Sequence, residues 1–391
     1  GLLINLIGLF ELGNVFGTAT LPRTWRMLQS GSTFTLAINI CTFLYAGILI
    51  HRSRISNINQ LIDVSPTQNW VLFGSKFLAI FKMQLVLSLL IMVTGLIFQT
   101  YKGFYDFEIS LYLYELIVLN LVYFVIWSLL AFFVQTLISN PYVGLFIMIV
   151  LLIGIPILSL AGLEQSIFKY NQGPGFSYSD MNGYGATLNR YFIYKIYWLS
   201  LGLVFFILTA LFYFRGLPSS FKQRILIAKS RFNGKYPFFI TLFTLMFISI
   251  GGYIYYTNNI LNKRTTSKES ELQIVEGEKK YKKYENYIQP RIVSVNVNVD
   301  IFPSSRNLSA SGEYLMVNKT KQAIDSIFLD HNGLISTFEF DKETDLVLED
   351  TLYNFDIYKL NTSLYPGDSL KLSFTLKNKP NTVLRNNSQI I

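Results

Sequence analysis

Along the first two thirds of the chain the apolar residues come in long runs rather than in periodic stripes. A helix needs about 20 mostly apolar residues to cross the hydrocarbon of a bilayer. Six stretches offer them, near residues 34–50, 77–98, 111–137, 142–163, 192–214 and 237–256. The third and fourth share one uncharged stretch, Leu116 to Leu163, too long for a single crossing at about 1.5 Å per residue. Asn140-Pro141 divides it at a turn. After residue 290 the pattern changes. In "RIVSVNVNVDIF", Val293, Val295, Val297 and Val299 alternate with Ser294, Asn296, Asn298 and Asp300. Period two predicts a half-buried strand with one packed face and one wet face. Strand signals lie at 292–300, 308–318, 323–330, about 335–340, 345–348, 352–360 and 369–377, punctuated by Pro303-Ser304-Ser305, Asn332-Gly333 and Pro366-Gly367-Asp368. Short strands at this spacing predict an antiparallel, sandwich-like sheet domain.

Between the two patterns lies "TNNILNKRTTSKESELQIVEGEKKYKKYENYIQP", rich in Lys and Glu. Its charges suit a solvated helix or stalk acting as a spacer. The predicted fold class is therefore a polytopic α-helical membrane domain followed by an all-β antiparallel domain. The boundaries are 1–256 for the membrane domain, 257–290 for the polar stalk and 291–391 for the β domain.

Composition sharpens this division. Hydrophobic residues make up 51% and charged residues 15% of the 391, against roughly a quarter charged in an ordinary soluble domain. Residues 1–256 hold 16 Lys and Arg against 7 Asp and Glu, whereas residues 257–391 hold 17 of each. The net charge of +9 belongs to the first part. Beside apolar runs such an excess sets membrane orientation, so the expected partner is the lipid bilayer and not nucleic acid. With six crossings, loops 51–76, 138–141 and 215–236 share one face. They carry Arg52, Arg54, Lys76, Arg215, Lys222, Arg224, Lys229, Arg231 and Lys235, with Asp63 as the only acid. These loops are expected to be cytoplasmic and the β domain extracytoplasmic, in a multi-pass protein of the cytoplasmic membrane. Lys263, Arg264 and Lys268 lean the other way. The chain begins at Gly1 with no basic region and cleavage site near it, and reads as a fragment in which "GLLINLIGLF" ends a longer element. The lone cysteine, Cys41, excludes an intrachain disulfide and reads as a packed apolar side chain.

Three ionisable residues fall within or near the ends of spans: Lys82, Glu115 and Lys195. An unpaired intramembrane charge costs about 3 kcal/mol or more. Glu115 and Lys195 lie near the outer ends of the third and fifth spans, where they can form an intramembrane charge pair. The alternative is that these long side chains snorkel to the interface.

The first cytoplasmic loop has internal order. Ile55, Ile58, Leu61 and Ile62 recur at helical spacing and give a short helix one apolar face. Ser65-Pro66-Thr67-Gln68 reads as a capping box with proline at the first helical position, starting the helix of the second span. Trp70 falls at headgroup level. The order of span, basic residues, amphipathic turn, proline, tryptophan and Gly-x-Lys resembles the permease subunits of ABC-2 type transporters. Arg52, Arg54, Leu61, Pro66, Trp70, Gly74 and Lys76 match that outline, while the acidic residue usual beside the arginines is absent and Ser53 and Ser56 stand nearby. The resemblance implies that a cytoplasmic ATP-binding subunit docks on this loop, and that the spans pair with a second permease half or form a homodimer. A connector with no partner is the alternative. The chain has no Walker motif of its own. In the loop 164–190, Gly173-Pro174-Gly175 is followed by no helix with a lysine, so the segment reads as an ordered lid over the spans and not as a phosphate loop.

The tail carries a second resemblance. "QPRIVSVNVNVDIFPSSRNLSASGEYLMVNKT", "IDSIFL", "YNFDIYKL" and "LYPGDSLKLSFTL" resemble the opening β domain of aminopeptidase-N-like zinc metallopeptidases, through Asp300, Pro303, Gly312, Asn318, Lys319, Thr320, Pro366, Gly367 and Asp368. The whole resembles bacterial fusions of an ABC-2 type permease with such a peptidase. The family's zinc site is HExxH with a distant glutamate, beside a Gly-x-Met-Glu-Asn substrate motif. This chain has only His51 and His331, both read as surface histidines. No catalytic, cofactor-binding or metal-ligating residue is nominated, and zinc is expected only in a peptidase domain outside the chain. The expected function is the permease component of an ABC-2 type transporter fused to an extracytoplasmic aminopeptidase. The alternatives are an anchor and scaffold for the peptidase without transport, and a sheet that binds a partner.

Overall fold

The computed structural model describes residues 21–31, 34–58, 61–62, 68–185, 187–213, 221–261, 265–302, 307–331 and 335–378, and the chain divides into two units, Gly1–Tyr256 and Thr257–Ile391. The described helices of the first unit are, in chain order, α1 (Thr24–Gly31), α2 (Phe34–Ile55), α3 (Asn69–Tyr101), α4 (Ile109–Leu137), α5 (Pro141–Ile157), α6 (Thr187–Phe212), α7 (Phe221–Arg231) and α8 (Lys235–Tyr255). Five of them, α2, α3, α4, α6 and α8, are long and apolar enough to cross a membrane, the last continuing to Leu261 in a π turn. Their outer faces fit that solvent. On α3, Val86, Leu90, Val93 and Ile97 recur at helical spacing and are each about half exposed, which makes an apolar outward stripe.

The stretch 142–163 differs from expectation. The turn falls where expected: the preceding helix ends at Leu137 with extended Ile138 after it, and Asn140 starts the next, its Oδ1 accepting from Tyr142 N at 2.9 Å with Pro141 at the first helical position. But α5 holds 17 residues, about 25 Å of helix, at the short end of what crosses a bilayer. Pro156 sits in its last turn and Gly162 at φ +90° follows a series of tight turns, so the chain leaves the helix early. The start of α3 also differs. Gln68, with no side-chain cap, precedes it; Ser65, Pro66 and Thr67 lie outside the described residues.

Two buried clusters hold the helices together. Phe98, Tyr112, Leu116 and Phe124 pack with Met27 and Leu28 of α1, and Phe43, Ala46, Ile80, Trp127, Phe132 and Met148 form the second cluster. α2, α4 and α5 approach closely because Gly47 and Gly144 leave room for the Gln135 side chain. A Cβ at either glycine would meet it at 2.8 Å and 2.4 Å. Small residues at such crossings let apolar helices of membrane-crossing length approach closely.

In the second unit, α9 (Ser267–Tyr281) is followed by β1 (Arg291–Phe302), β2 (Asn307–Val317), β3 (Ile324–Asp330), β4 (Ile335–Phe340), β5 (Thr344–Asp350), β6 (Phe355–Leu364) and β7 (Ser369–Asn378). They form a four-stranded sheet, β1-β2-β7-β4, and a three-stranded sheet, β3-β6-β5, antiparallel throughout. Met316, Leu370 and Leu372 of the larger sheet pack on Ile324, Ile327, Leu360 and Leu364 of the smaller. All seven strands fall on predicted segments. β1 departs in burial, because it is the edge of the larger sheet and is exposed along its whole length, Val295 at 59% and Val299 at 49%. β1 passes close over Gly312, where an added Cβ would meet Val297 of β1 at 2.9 Å and Phe374 of β7 at 2.7 Å.

The stalk is also more than a spacer. Thr266 caps α9 in a reciprocal box with Glu269. The helix and the turn after it then lie on the smaller sheet: Tyr281 packs on Phe355 with ring centroids 4.3 Å apart, and Tyr284 on Phe328 at 5.0 Å. Lys280 and the Tyr281 hydroxyl both donate to Asp350. These two bonds, Lys280 first, hold the Asp350 carboxyl down at about 2.

Candidate functional site

The expected docking segment begins where α2 ends. Asn57 adopts φ +54°, Asn57 N donates to Arg54 O at 3.1 Å and Ile58 N to Ser53 O at 2.9 Å, the paired bonds of a Schellman stop. Leu61 and Ile62 N both return to Ile58 O at 3.1 and 3.2 Å, a helical turn within the segment predicted as an amphipathic helix; residues 59–60 and 63–67 lie outside the described residues. Most apolar side chains around it face outward: Ile55 at the end of α2 is 67% exposed, Ile58 50%, Leu61 79% and Trp70 of α3 59%, while Ile62 is half-buried. Arg52 is exposed beside them and Arg54 half-buried. The Trp70 indole donates to Gln68 Oε1, and the Lys76 ammonium lies 5.4 Å from the centroid of Tyr213. Pro66 lies outside the described residues.

The same end of the bundle is closed by cations on helix C-termini. Arg224 of α7 donates to Leu137 O and Ser139 Oγ, each at 3.2 Å, and Arg231 donates to Leu211 O at 3.5 Å and to Tyr213 O. They cover carbonyls at the ends of α4 and α6, where the helix dipole favours positive charge. His51 is buried, with Nε2 3.1 Å from Gln135 O, and so is not a surface histidine. Ile50, His51, Arg54, Thr136, Tyr213 and Arg224 line a small pocket between these ends.

Farther into the bundle the charge pair predicted for Glu115 and Lys195 is replaced by two separate arrangements. Glu115, in the π-helical stretch Tyr114–Asn120 of α4, accepts from the Tyr184 hydroxyl at 3.0 Å. Lys195 of α6 donates to Asn171 Oδ1 at 2.8 Å and Asn171 O at 3.1 Å, and lies over Tyr123 at 4.8 Å and Tyr191 at 5.3 Å. Carbonyl oxygens and aromatic faces thus take the place of a carboxylate. Lys82 is exposed on α3. Asn171 belongs to the segment read as a lid, which is stitched to the helices: Asn171 Nδ2 to Tyr123 O at 2.9 Å, Tyr170 hydroxyl to Ile126 O at 2.8 Å, and Trp198 Nε1 to Gln172 O at 2.7 Å.

Two uncharged polar layers went unread in the sequence. The Gln84 amide nitrogen reaches Ser128 Oγ at 2.8 Å, Thr42 Oγ1 at 3.1 Å and Phe124 O at 3.3 Å, joining α2, α3 and α4. Gln135 Nε2 donates to Pro141 O at 3.2 Å. Between the layers stand Phe43, Ala46, Ala131, Phe132 and Met148, all fully buried. The signal was present as two glutamines inside apolar runs, where a buried amide must find partners on neighbouring helices. A search for charge alone passes over them.

In the second unit four of the residues that carry the peptidase resemblance, Asn318, Thr320, Gly367 and Asp368, gather in one knot, while Asp300 and Gly312 lie in the β1–β2 pair. Asn318 N donates to Asp368 O at 3.0 Å and Gly367 N to Asn318 O at 2.8 Å; Asn318 Nδ2 donates to Leu364 O at 2.7 Å and Gln322 O at 2.8 Å, while Thr320 N donates to Asn318 Oδ1 at 2.9 Å. Gly367 at φ +90° makes the turn possible. The knot is structural, tying the end of β2 to the β6–β7 hairpin. His331 is half-buried with Nε2 3.3 Å from Asp356 Oδ2, again not a free surface histidine. Pro303 lies outside the described residues. No protein-family model, curated protein or solved structure matches the chain.

Proposed function

We propose that the first unit is the permease part of an ABC-2 type transporter, crossing the cytoplasmic membrane six times with α5 as the short fourth crossing. An ATP-binding subunit docks on residues 51–76, and the permease works with a second copy or a second permease half. The observation that carries this reading is the outward exposure of Ile55, Ile58 and Leu61 shortly after exposed Arg52, and of Trp70 at the start of α3. Large apolar side chains exposed around a helix–helix connection mark an interaction surface. The second unit is read as the first β domain of an extracytoplasmic aminopeptidase-N-like module, a scaffold that supplies no chemistry itself. A zinc site would belong to a peptidase domain outside this chain.

The test is capture of an ATP-binding subunit by the purified protein from its own host membrane. Arg52→Ala, Arg54→Ala and Trp70→Ala together are expected to abolish capture and ATP-dependent transport in reconstituted vesicles. Unchanged capture and transport in the triple variant would remove the docking site from this loop. Peptidase activity of the full-length protein that is independent of ATP, without any transport, would favour an anchoring role for the helices instead.

A further inference from the structure

The helix α7 carries two opposed faces. At about 100° per residue, Arg224, Ala228 and Arg231 fall on one side, and Arg224 and Ala228 are buried against the ends of the long helices. Lys222, Ile225, Leu226 and Lys229 fall on the other. Ile225 is 44% and Leu226 65% exposed, and both lysines are exposed. The two arginines fix the roll of the helix through Leu137 O, Ser139 Oγ, Leu211 O and Tyr213 O, so the second face is presented outward by construction. No acidic residue occurs from Tyr213 to Tyr236.

We propose that this outward face is a binding surface for anionic phospholipid headgroups, with α7 lying in the plane of the membrane interface. Two features select a lipid surface over an acidic protein. The helix is tied at both ends to membrane-crossing helices, α6 and α8, which confine it to the interface. Its aliphatic side chains alternate with the lysines, so Ile225 and Leu226 enter the acyl boundary while Lys222 and Lys229 reach phosphates. The proposal rests on α6 and α8 crossing a membrane and is independent of any ATP-binding subunit.

The test uses the full chain with Cys41→Ser and Ser230→Cys, labelled with an environment-sensitive fluorophore and reconstituted in equimolar phosphatidylcholine–phosphatidylglycerol vesicles. Brominated acyl chains are carried by one lipid or the other. Quenching by the brominated phosphatidylglycerol is expected to exceed that by phosphatidylcholine and to weaken at high salt. The local preference should fall roughly fivefold for each of Lys222→Gln and Lys229→Gln, and Lys→Arg at both positions should retain it. Equal quenching by the two lipids would overturn the proposal, as would a preference that survives the double glutamine variant. Absence of quenching by either lipid would place the helix off the bilayer and point to an acidic protein face.

Discussion

Two buried amides, one in each unit, show how differently the same group is used. Asn318 has both ends satisfied within one local knot, by Gln322 O, Leu364 O and Thr320. Gln84 spends its amide nitrogen on two other helices while its carbonyl has no partner among the described residues. In a sheet unit facing water, hydrophobic burial supplies the drive and the amide specifies one turn. Between apolar helices long enough to cross a membrane, that drive is absent wherever lipid surrounds them, and a polar side chain reaching across serves as the fastener.

Asn318→Ala strips four hydrogen bonds and leaves Leu364 O buried, so the second unit should lose about 3 kcal/mol. Hydrogen exchange in β6 and β7 reads that loss. Tryptophan fluorescence should not move with it, because all four tryptophans, Trp25, Trp70, Trp127 and Trp198, lie in the first unit. An equal shift in both signals would mean that the units do not unfold separately.

Gly144→Ala should cost about 2 kcal/mol, since its Cβ would lie 2.4 Å from the buried Gln135 side chain. Gly154→Ala meets nothing within 4 Å and should stabilise its helix by up to about 1 kcal/mol. Thermal unfolding in detergent, followed by tryptophan fluorescence, separates the two signs. Gln84→Leu should cost less, about 1 kcal/mol, because membrane hydrogen bonds are individually modest. A loss as large as that of Asn318→Ala would erase the distinction drawn between the units.

The smallest effect concerns the stalk. The Asp350 carboxyl is held at about 2, below its ordinary 3.8, by Lys280 and Tyr281. A group held low in the folded state stabilises it above its ordinary value and loses that contribution as pH falls toward the folded value. Docking of α9 on the sheet should therefore be full at neutral pH and weaken between about 4 and 2. Asp350→Asn should remove this acid step. Proteolysis at acid pH by pepsin, read at Lys280–Tyr287, distinguishes released from docked stalks.

Much of this architecture is legible in the residues, and the misses have physical causes. The strands were readable because period-two alternation and turn residues such as Pro366-Gly367-Asp368 are local signals. The burial of β1 was not, since alternation shows which side chains share a face but not whether another sheet covers it. The stalk looked solvated because its Lys and Glu dominate, while Tyr281 and Tyr284, which dock it, are spaced too close to the end of the helix to make a stripe. Glu115 and Lys195 sit within apolar runs and each takes its own partner, Tyr184 and Asn171, rather than the other. Which partners they took depended on a loop, 164–190, whose path no periodicity predicts.

Orientation tests the account most directly. In a Cys41→Ser background, a cysteine at exposed Ser311 and a second, separate one at exposed Ile58 are probed with a membrane-impermeant maleimide on intact cells. Ser311→Cys is expected to react from outside and Ile58→Cys only after lysis. Reaction of Ile58→Cys from outside, or of Ser311→Cys only after lysis, would contradict that orientation.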